Sequence, residues 1–129
     1  MPRFLSVAEH DSSTPRPIHG VLTGVASKRL VISALPGVRP NGTLPDGLTA
    51  QAEQAFENLA HLIEVAGLRR EDIVSISAYV AASGAKPLLH RIAASKLGGL
   101  RPATAVRQVV SLSQAGCIVE LDAEVVGDE

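Results

Sequence analysis

The segment from residue 48 to residue 68, LTAQAEQAFENLAHLIEVAGL, constrains the fold most, because its apolar residues recur at helical spacing along its whole length. These residues make one apolar stripe: Ala52, Ala55, Phe56, Leu59, Leu62, Ile63 and Ala66. Asp46 or Thr49 is predicted to cap the start of the helix. Gly67 followed by Leu68 predicts a left-handed end with a hydrophobic contact. An amphipathic helix of this length requires a second layer that covers its stripe.

The rest of the chain supplies strands for that layer and a second helix. Residues 72–81, DIVSISAYVA, alternate in the manner of a strand with one apolar face. Residues 86–97, KPLLHRIAASKL, predict a helix that tolerates Pro87 in its first turn. Two further strands are predicted over 104–112 and 117–126. In the last strand an apolar face opposes a face of acidic side chains: Glu120, Asp122 and Glu124.

The N-terminal part of the chain is less regular. Residues 1–18 are expected to form an irregular lead-in, because the polar run DSSTPRP within them is interrupted by proline. Residues 20–35 contain two short β-prone runs, and ASKR at 26–29 is the predicted turn between them. Residues 36–47 are dense in proline and glycine and predict a loop.

The predicted order is therefore β-β-α-β-α-β-β in a single domain over residues 1–129. Helices between strands imply crossover connections, so the fold class is α+β, with a mixed sheet and two helices on one face. The second face of that sheet is too polar to be another core layer of the same chain. It can be closed into a barrel, covered in an oligomer or left in contact with water, and the composition does not decide among these.

Composition excludes several function classes. A formal net charge of −1 and 2% aromatic residues provide neither a basic field nor a stacking platform for nucleic acid. Cys117 is the sole cysteine, so the chain has no internal disulfide and no cysteine metal cluster, which fits a reducing cytoplasm. No signal peptide and no membrane-spanning run is evident. We expect a soluble cytoplasmic protein with no membrane partner.

Four segments in order resemble the Rid (RidA, YjgF-like) family of reactive-intermediate deaminases. LVISALPG at 30–37 looks like the family's L-V-x-x-S-G-Q-x-P strand end, and 48–81 is similar to its Q-x6-N-L helix and following strand. RPATAVRQVVSL at 101–112 resembles its P-A-R-S-x-V strand, and CIVELDAEVV at 117–126 resembles its closing V-E-I-E-A strand. Gln51, Asn58 and Asp72 fall in register with the family pattern.

The resemblance implies a chorismate-mutase-like α+β fold assembled as a homotrimer, with ligand clefts between neighbouring subunits. Most members hydrolyse imines or enamines derived from amino acids to keto acids and ammonia, with no metal and no cofactor. An older family label, endoribonuclease, has no support in this sequence, which contains no basic patch.

The chain departs from the family at a position that carries substrate recognition. Where the family has the arginine that grips the substrate carboxylate, this chain has Thr104, whose hydroxyl cannot neutralise an anion. Arg101 precedes the strand and can turn into the mouth of the cleft. Arg107 lies three residues after Thr104, so alternation points it to the opposite face, towards the helices or out at the strand edge.

The resemblance also supplies the remaining candidate site residues. Glu120 matches the cleft glutamate that positions or activates water, and His90 falls near a helix asparagine of the family. Those two residues are the predicted catalytic pair, with His19 as an alternative histidine. The predicted substrate-binding residues are Thr104, Ser33, Ala34, Arg101 and Val106.

Two functions follow as hypotheses. The first is an enzyme that acts on an imine, an enamine or a related conjugated small molecule, by hydrolysis or tautomerisation, with a substrate range altered by Thr104. The second is a non-catalytic trimer that binds a metabolite or regulates a partner.

Overall fold

The computed structural model describes residues 3–5, 20–22, 28–98, 100 and 102–128. Its strands are β1 (Arg3–Leu5), β2 (Gly20–Leu22), β3 (Lys28–Pro36), β4 (Ile73–Val80), β5 (Ala103–Gln108) and β6 (Val119–Gly127). Its helices are α1 (Leu48–Val65) and α2 (Lys86–Lys96), and one 3₁₀ turn covers Arg70–Asp72.

Four strands form a mixed sheet in the order β3-β6-β4-β5. β6 is antiparallel to both of its neighbours, while β4 and β5 are parallel and are joined through α2. A parallel pair needs a crossover of this kind, because a short turn cannot return the chain to the same end of the sheet. β1 and β2 form a separate antiparallel pair. The predicted α+β class, with a mixed sheet and two helices, is confirmed.

Both helices cover the same side of the four-stranded sheet. α1 contacts β3 and β6, α2 contacts β5, and the helices contact each other. The most deeply buried large side chains come from these elements: Leu59, Ile63, Ile76, Leu89, Leu121, Val80, Val119 and Val125. We call the other side of the sheet the open face. It carries Ser75, Ser77 and Tyr79 of β4 together with Glu120, Asp122 and Glu124 of β6.

The C-terminal end of α1 has the predicted geometry. Gly67 has a φ of 74°, and its N–H donates to the Glu64 carbonyl oxygen at 3.0 Å. The N–H of Leu68 donates to the Ile63 carbonyl oxygen at 3.0 Å, and both apolar side chains are buried. This is the Schellman arrangement, which satisfies two carbonyl groups that the helix leaves open. The prediction from Gly67 and Leu68 is confirmed.

The start of α1 differs from the prediction. Gly47, with a φ of 89°, is the residue that precedes the helix, and no side chain caps the first turn. Asp46 lies one position too early, and Thr49 already lies within the helix. The prediction of a cap by Asp46 or Thr49 is wrong, because a glycine makes the turn into the helix.

The N-terminal elements also differ from the prediction in part. Lys28 and Arg29 belong to β3 and pair with Gly127 and Val126 of β6, so they are not part of a turn. β6 is long enough to pair with both residues, so the ladder continues to Lys28. Arg3–Leu5 forms a strand inside the segment expected to be irregular. The remainder of residues 1–18 and the first part of the predicted turn lie outside the described residues.

Candidate functional site

A β-bulge interrupts β3 at the point where the family resemblance places cleft residues. Ile32 pairs with Ala123 and Leu35 pairs with Leu121, so the two residues between them face Asp122 alone. The second of these, Ala34, has a φ of 54°, in the left-handed region that glycine adopts most easily. Its N–H donates to Oδ1 of Asp122 at 2.7 Å. Bulges of this kind turn a side chain away from the regular alternation of the strand.

The bulge borders a shallow groove of about 210 Å³ on the sheet. Its walls are formed by Val31, Ile32, Ser33, Ser75, Ser77, Asp122, Ala123 and Glu124. Ser33 therefore lies on the open face, together with the hydroxyls of β4 and two carboxylates of β6. Both carboxylates are engaged: Asp122 accepts a hydrogen bond from the Ala34 amide, and Glu124 forms an ion pair with Arg29 at 3.1 Å.

Glu120 differs from its two acidic neighbours. It is half-buried on the open face, and within the described part of the chain no hydrogen bond or ion pair engages its carboxylate. Its partners in the ladders are Pro36 of β3 and Tyr79 of β4. An uncommitted carboxylate beside a shallow polar surface can accept a proton from water or from a ligand.

Arg107 lies on the open face as well. It pairs with Tyr79, and paired residues of adjacent strands point to the same side of a sheet. Arg107 and Glu120 thus lie on either side of Tyr79 in one row across three strands. Of the two positions expected for Arg107, the one facing the helices is wrong, because Ile76, which is buried under the helices, pairs with Thr104. Arg107 is exposed on β5, which is an edge strand.

Thr104 and Val106 point to the helix-covered side of the sheet. Thr104 pairs with Ile76 and Val106 pairs with Ala78, both of which are buried there. The Thr104 hydroxyl donates a hydrogen bond to the Pro102 carbonyl oxygen at 2.9 Å. Towards a ligand it therefore acts as a hydrogen-bond acceptor. The expected opposition of Thr104 and Arg107 is confirmed.

A second cavity, of about 190 Å³, lies at the edge strand beside the start of α2. It is lined by Val80, Ala82, Gly84, Ala85, Lys86, Val106 and Gln108. The predicted substrate-binding residue Val106 thus lines a cavity, and Lys86 adds a positive charge at its rim. This cavity and the groove beside Ser33 lie on opposite sides of the sheet.

His90 is exposed on α2, on the helix side of the sheet. Partial burial, and then the positive charge of Lys86, lower the pKa of His90 from its usual value. The structure does not bring His90 and Glu120 together within one subunit, because the sheet separates them. Arg101 and His19 lie outside the described residues.

Cys117 precedes β6 and is buried. Burial, followed by the nearby charge of Glu120, raises the pKa of the thiol. The thiol donates a hydrogen bond to the Val119 carbonyl oxygen at 3.2 Å. A protonated, buried thiol is a packing group and not a nucleophile.

Two polar residues of α1 hold the segments that lead to the site, and from the sequence alone they were recognisable only as part of the family resemblance. Gln51 is 2% exposed. Its Nε2 donates to the carbonyl oxygens of Pro45 and Gly116, and its Oε1 accepts from the N–H of Ile118 at 2.8 Å. The sequence did contain a sign of this role, because Gln51 lies four residues before Ala55 and therefore on the buried side of the helix.

The second of these residues is Asn58. Its Nδ2 donates to the carbonyl oxygens of Pro36 and Val38, at 3.0 and 2.8 Å. Gly37, between them, allows this close approach, because a Cβ there would lie 2.1 Å from the Gln51 carbonyl oxygen. α1 therefore fixes the end of β3 that lies beside Glu120.

No three His, Cys, Asp or Glu side chains among the described residues converge as a metal site would require. Neither helix in that part of the chain is long and apolar enough to cross a bilayer.

The family model described as Endoribonuclease L-PSP matches residues 12–126, which is most of the chain. The chain belongs to the Rid family. RidA from the Antarctic bacterium Psychrobacter sp. PAMC 21119 is a similar solved structure, with 27% identity, a TM-score of 0.72 and coverage of 94% of this chain and 93% of that one.

Two further proteins are similar to this chain. The Rid family protein YyfB from Yersinia pestis has a TM-score of 0.80, covers 97% of this chain and 98% of its own, and is 24% identical, so it supports the fold alone. A RutC family protein of Aquifex aeolicus is 40% identical over 52 residues. That match spans 40% of this chain and 42% of the relative.

Proposed function

We propose that the protein is a Rid-type enzyme that acts on an imine, an enamine or a related conjugated small molecule, in clefts between the subunits of a homotrimer. The reaction is hydrolysis with release of ammonia, or tautomerisation, and it uses no metal and no cofactor. The substrate range differs from that of the amino-acid imine deaminases because Thr104 stands where the family has its carboxylate-binding arginine.

The observation that carries this proposal is the position of the candidate residues on two faces of one sheet. Thr104 and Val106 point to the helix side, whereas Glu120 and Ser33 lie on the open face. A small ligand cannot reach through a sheet, so one that touches both groups takes them from two subunits. A monomer therefore has two half-sites, and an assembly of copies joins them. The oligomer also covers the open face, which a single chain leaves exposed.

Thr104 determines what one half-site can bind. Because its proton is directed at the Pro102 carbonyl oxygen, the hydroxyl accepts hydrogen bonds from a ligand N–H or O–H. It provides no charge for a carboxylate. Loss of one charge-assisted contact typically costs about 1.5–3 kcal/mol, so short 2-imino acids are poor substrates at this position.

Glu120 supplies the proton transfers in the other half-site. For hydrolysis, its carboxylate takes a proton from water while the oxygen bonds to the imine carbon, and a proton donor of a neighbouring subunit gives a proton to the nitrogen. The carbinolamine then returns its hydroxyl proton to that donor while the nitrogen takes the proton held by Glu120. The carbon–nitrogen bond breaks, and the products are a carbonyl compound and ammonia. For tautomerisation, the same carboxylate removes a proton from one atom and returns it to another.

A binding or regulatory trimer is the second candidate, and one observation favours it. His90, the second member of the predicted catalytic pair, is separated from Glu120 by the sheet within one subunit. If no neighbouring subunit brings a proton donor to Glu120, the cleft holds a ligand without turnover.

Ammonia release from freshly generated 2-iminopropionate tests the proposal. We expect slow turnover by the unaltered protein, faster turnover by Thr104→Arg, and loss of turnover in Glu120→Gln. Asp122→Asn is the matched control for Glu120→Gln, because that side chain lies on the same strand and face but is engaged by the Ala34 amide. Turnover at the rate of an arginine-containing deaminase in the unaltered protein would contradict the role of Thr104. Absence of turnover in all variants, with ligand binding retained, would favour the binding trimer.

A further inference from the structure

The row formed by Glu120, Tyr79 and Arg107 contains three polar side chains with no described partner. Tyr79 pairs with Glu120 on one side and with Arg107 on the other, so all three point to the open face. In the part of the chain that the structure describes, none of the three side chains makes a hydrogen bond or an ion pair. Neighbouring strands lie about 4.8 Å apart, which puts the Cα atoms of Glu120 and Arg107 about 10 Å from each other.

Two of the arginines that the structure describes, Arg29 and Arg107, lie on the open face. Arg29, on β3, is already engaged by Glu124 at 3.1 Å. Arg107 is exposed, and the β5 residues beside it on the open face, Ala105 and Ala103, are small and uncharged. Within one subunit, no described side chain engages its guanidinium, and the uncommitted carboxylate of Glu120 lies two strands away on the same face.

We propose that Arg107 binds an anionic group of the substrate on the same subunit as Glu120. The inference rests on the proposed function, since it assigns Glu120 the reacting centre. In this arrangement the ligand is oriented in the opposite way to the family arrangement. Its anionic group binds to the subunit that carries Glu120, and its neutral end contacts Thr104 of a neighbouring subunit. Arginine suits this role because its planar fork binds a carboxylate through two parallel hydrogen bonds.

The spacing sets the substrate class. The Cα atoms of Arg107 and Glu120 lie about 10 Å apart with Tyr79 between them, so the anion and the reacting carbon of the ligand are separated by several bonds. A 2-imino acid, whose carboxylate is attached to the reacting carbon, is too short to reach both. The expected substrates are extended or cyclic unsaturated compounds that carry a carboxylate away from the imine, enamine or enol carbon.

Binding of keto acids tests the inference without any need for turnover. Levulinate carries its carboxylate three bonds from the carbonyl carbon, pyruvate carries it on the adjacent carbon, and methyl levulinate has no charge. We expect the full-length protein, titrated in an NMR experiment, to bind levulinate at least ten-fold more tightly than pyruvate or methyl levulinate. Arg107→Gln should weaken levulinate binding by about 10-fold to 100-fold and leave methyl levulinate unchanged. Arg107→Lys should retain part of the affinity.

Arg91→Gln is the matched control, because Arg91 is an exposed arginine on α2, away from the open face. Three results would overturn the inference: no levulinate binding by the unaltered protein, equal effects of the Arg107 and Arg91 substitutions, or dissociation of the oligomer of Arg107→Gln in light scattering. Its failure is distinguishable from failure of the proposed function. If the protein turns over imines but binds carboxylates equally well without Arg107, only the inference about Arg107 is contradicted. If carboxylate binding depends on Arg107 but no imine is turned over, only the proposed enzymatic activity is contradicted.

Discussion

The backbone N–H of Ala34 donates a hydrogen bond of 2.7 Å to Oδ1 of Asp122, a residue on the adjacent strand. The contact holds an alanine in the left-handed region, which costs a residue with a Cβ about 1–2 kcal/mol. The carboxylate offsets part of that cost by satisfying an amide that the bulge removes from the ladder. The shape of the wall beside Ser33 therefore depends on a side chain of β6.

Replacement of Ala34 by glycine should relieve the backbone strain. We expect Ala34→Gly to raise the free energy of unfolding by about 0.5–1 kcal/mol, because the relief exceeds the added flexibility of the unfolded chain. Urea denaturation provides the measurement. Ala103→Gly, in a strand without positive φ, is the control and should lower stability by about 0.5–1 kcal/mol. Equal losses at both positions would show that Ala34 is not strained.

Removal of the Asp122 carboxylate should release the bulge. Asp122→Ala should lower the free energy of unfolding by about 1–2 kcal/mol and speed hydrogen exchange at the Ala34 amide, whereas Asp122→Asn, which keeps an acceptor oxygen, should do less. Hydrogen exchange followed by NMR distinguishes this local effect from a general loss of stability. Unchanged exchange at Ala34 in the alanine variant would contradict the assignment.

Gln51 should be far more sensitive than Gln54 of the same helix. Gln51→Leu leaves two carbonyl oxygens and one N–H without their partner in a buried location, so we expect a loss of about 3 kcal/mol. Gln54→Leu removes one contact, to Asn58, and should change stability by less than about 1 kcal/mol. Thermal denaturation at fixed protein concentration measures both. Similar losses would mean that the buried network does not hold the approach to β6.

The titration of His90 should respond to Lys86. Partial burial and the Lys86 charge lower the pKa of His90, so the unfolded chain binds this proton more readily than the folded one. Stability therefore rises with pH just below the unfolded pKa of about 6.5 and is unaffected by this group above it. NMR titration should show a higher pKa in Lys86→Met, still below the usual value because burial remains. Lys96→Met, whose lysine pairs with Glu53 and Glu57, is the control, and an equal response to both would contradict the role of Lys86.

The sequence predicted the parts of the fold that depend on periodicity. The stripe of α1, its Gly67–Leu68 end and the alternation of β6 appear in the structure because each depends on residues within one element. The start of α1 was predicted incorrectly, since a capping side chain and a glycine turn both fit the residues before Leu48. Lys28 and Arg29 were assigned to a turn because the length of their partner strand is a non-local property.

The candidate site was predictable in composition but not in orientation. Alternation placed Thr104 and Arg107 on opposite faces, but it did not state which face the helices cover. The faces become known only from the pairing of β5 with β4, in which Thr104 pairs with Ile76 and Arg107 pairs with Tyr79. The bulge at Ala34 could not be predicted from the sequence either. Its residues are those of an ordinary strand, and the side chain that holds the bulge, Asp122, belongs to another strand.

The division of Thr104 and Glu120 between two sides of one sheet has a consequence for genetics as well as for chemistry. A chain defective at one of these positions still carries an intact copy of the other. Two inactive variants, each damaged on a different side, should therefore regain a fraction of working pockets when they are unfolded and refolded together, whereas either refolded alone stays inactive. In the proposed trimer, complementation between alleles is therefore the expected outcome.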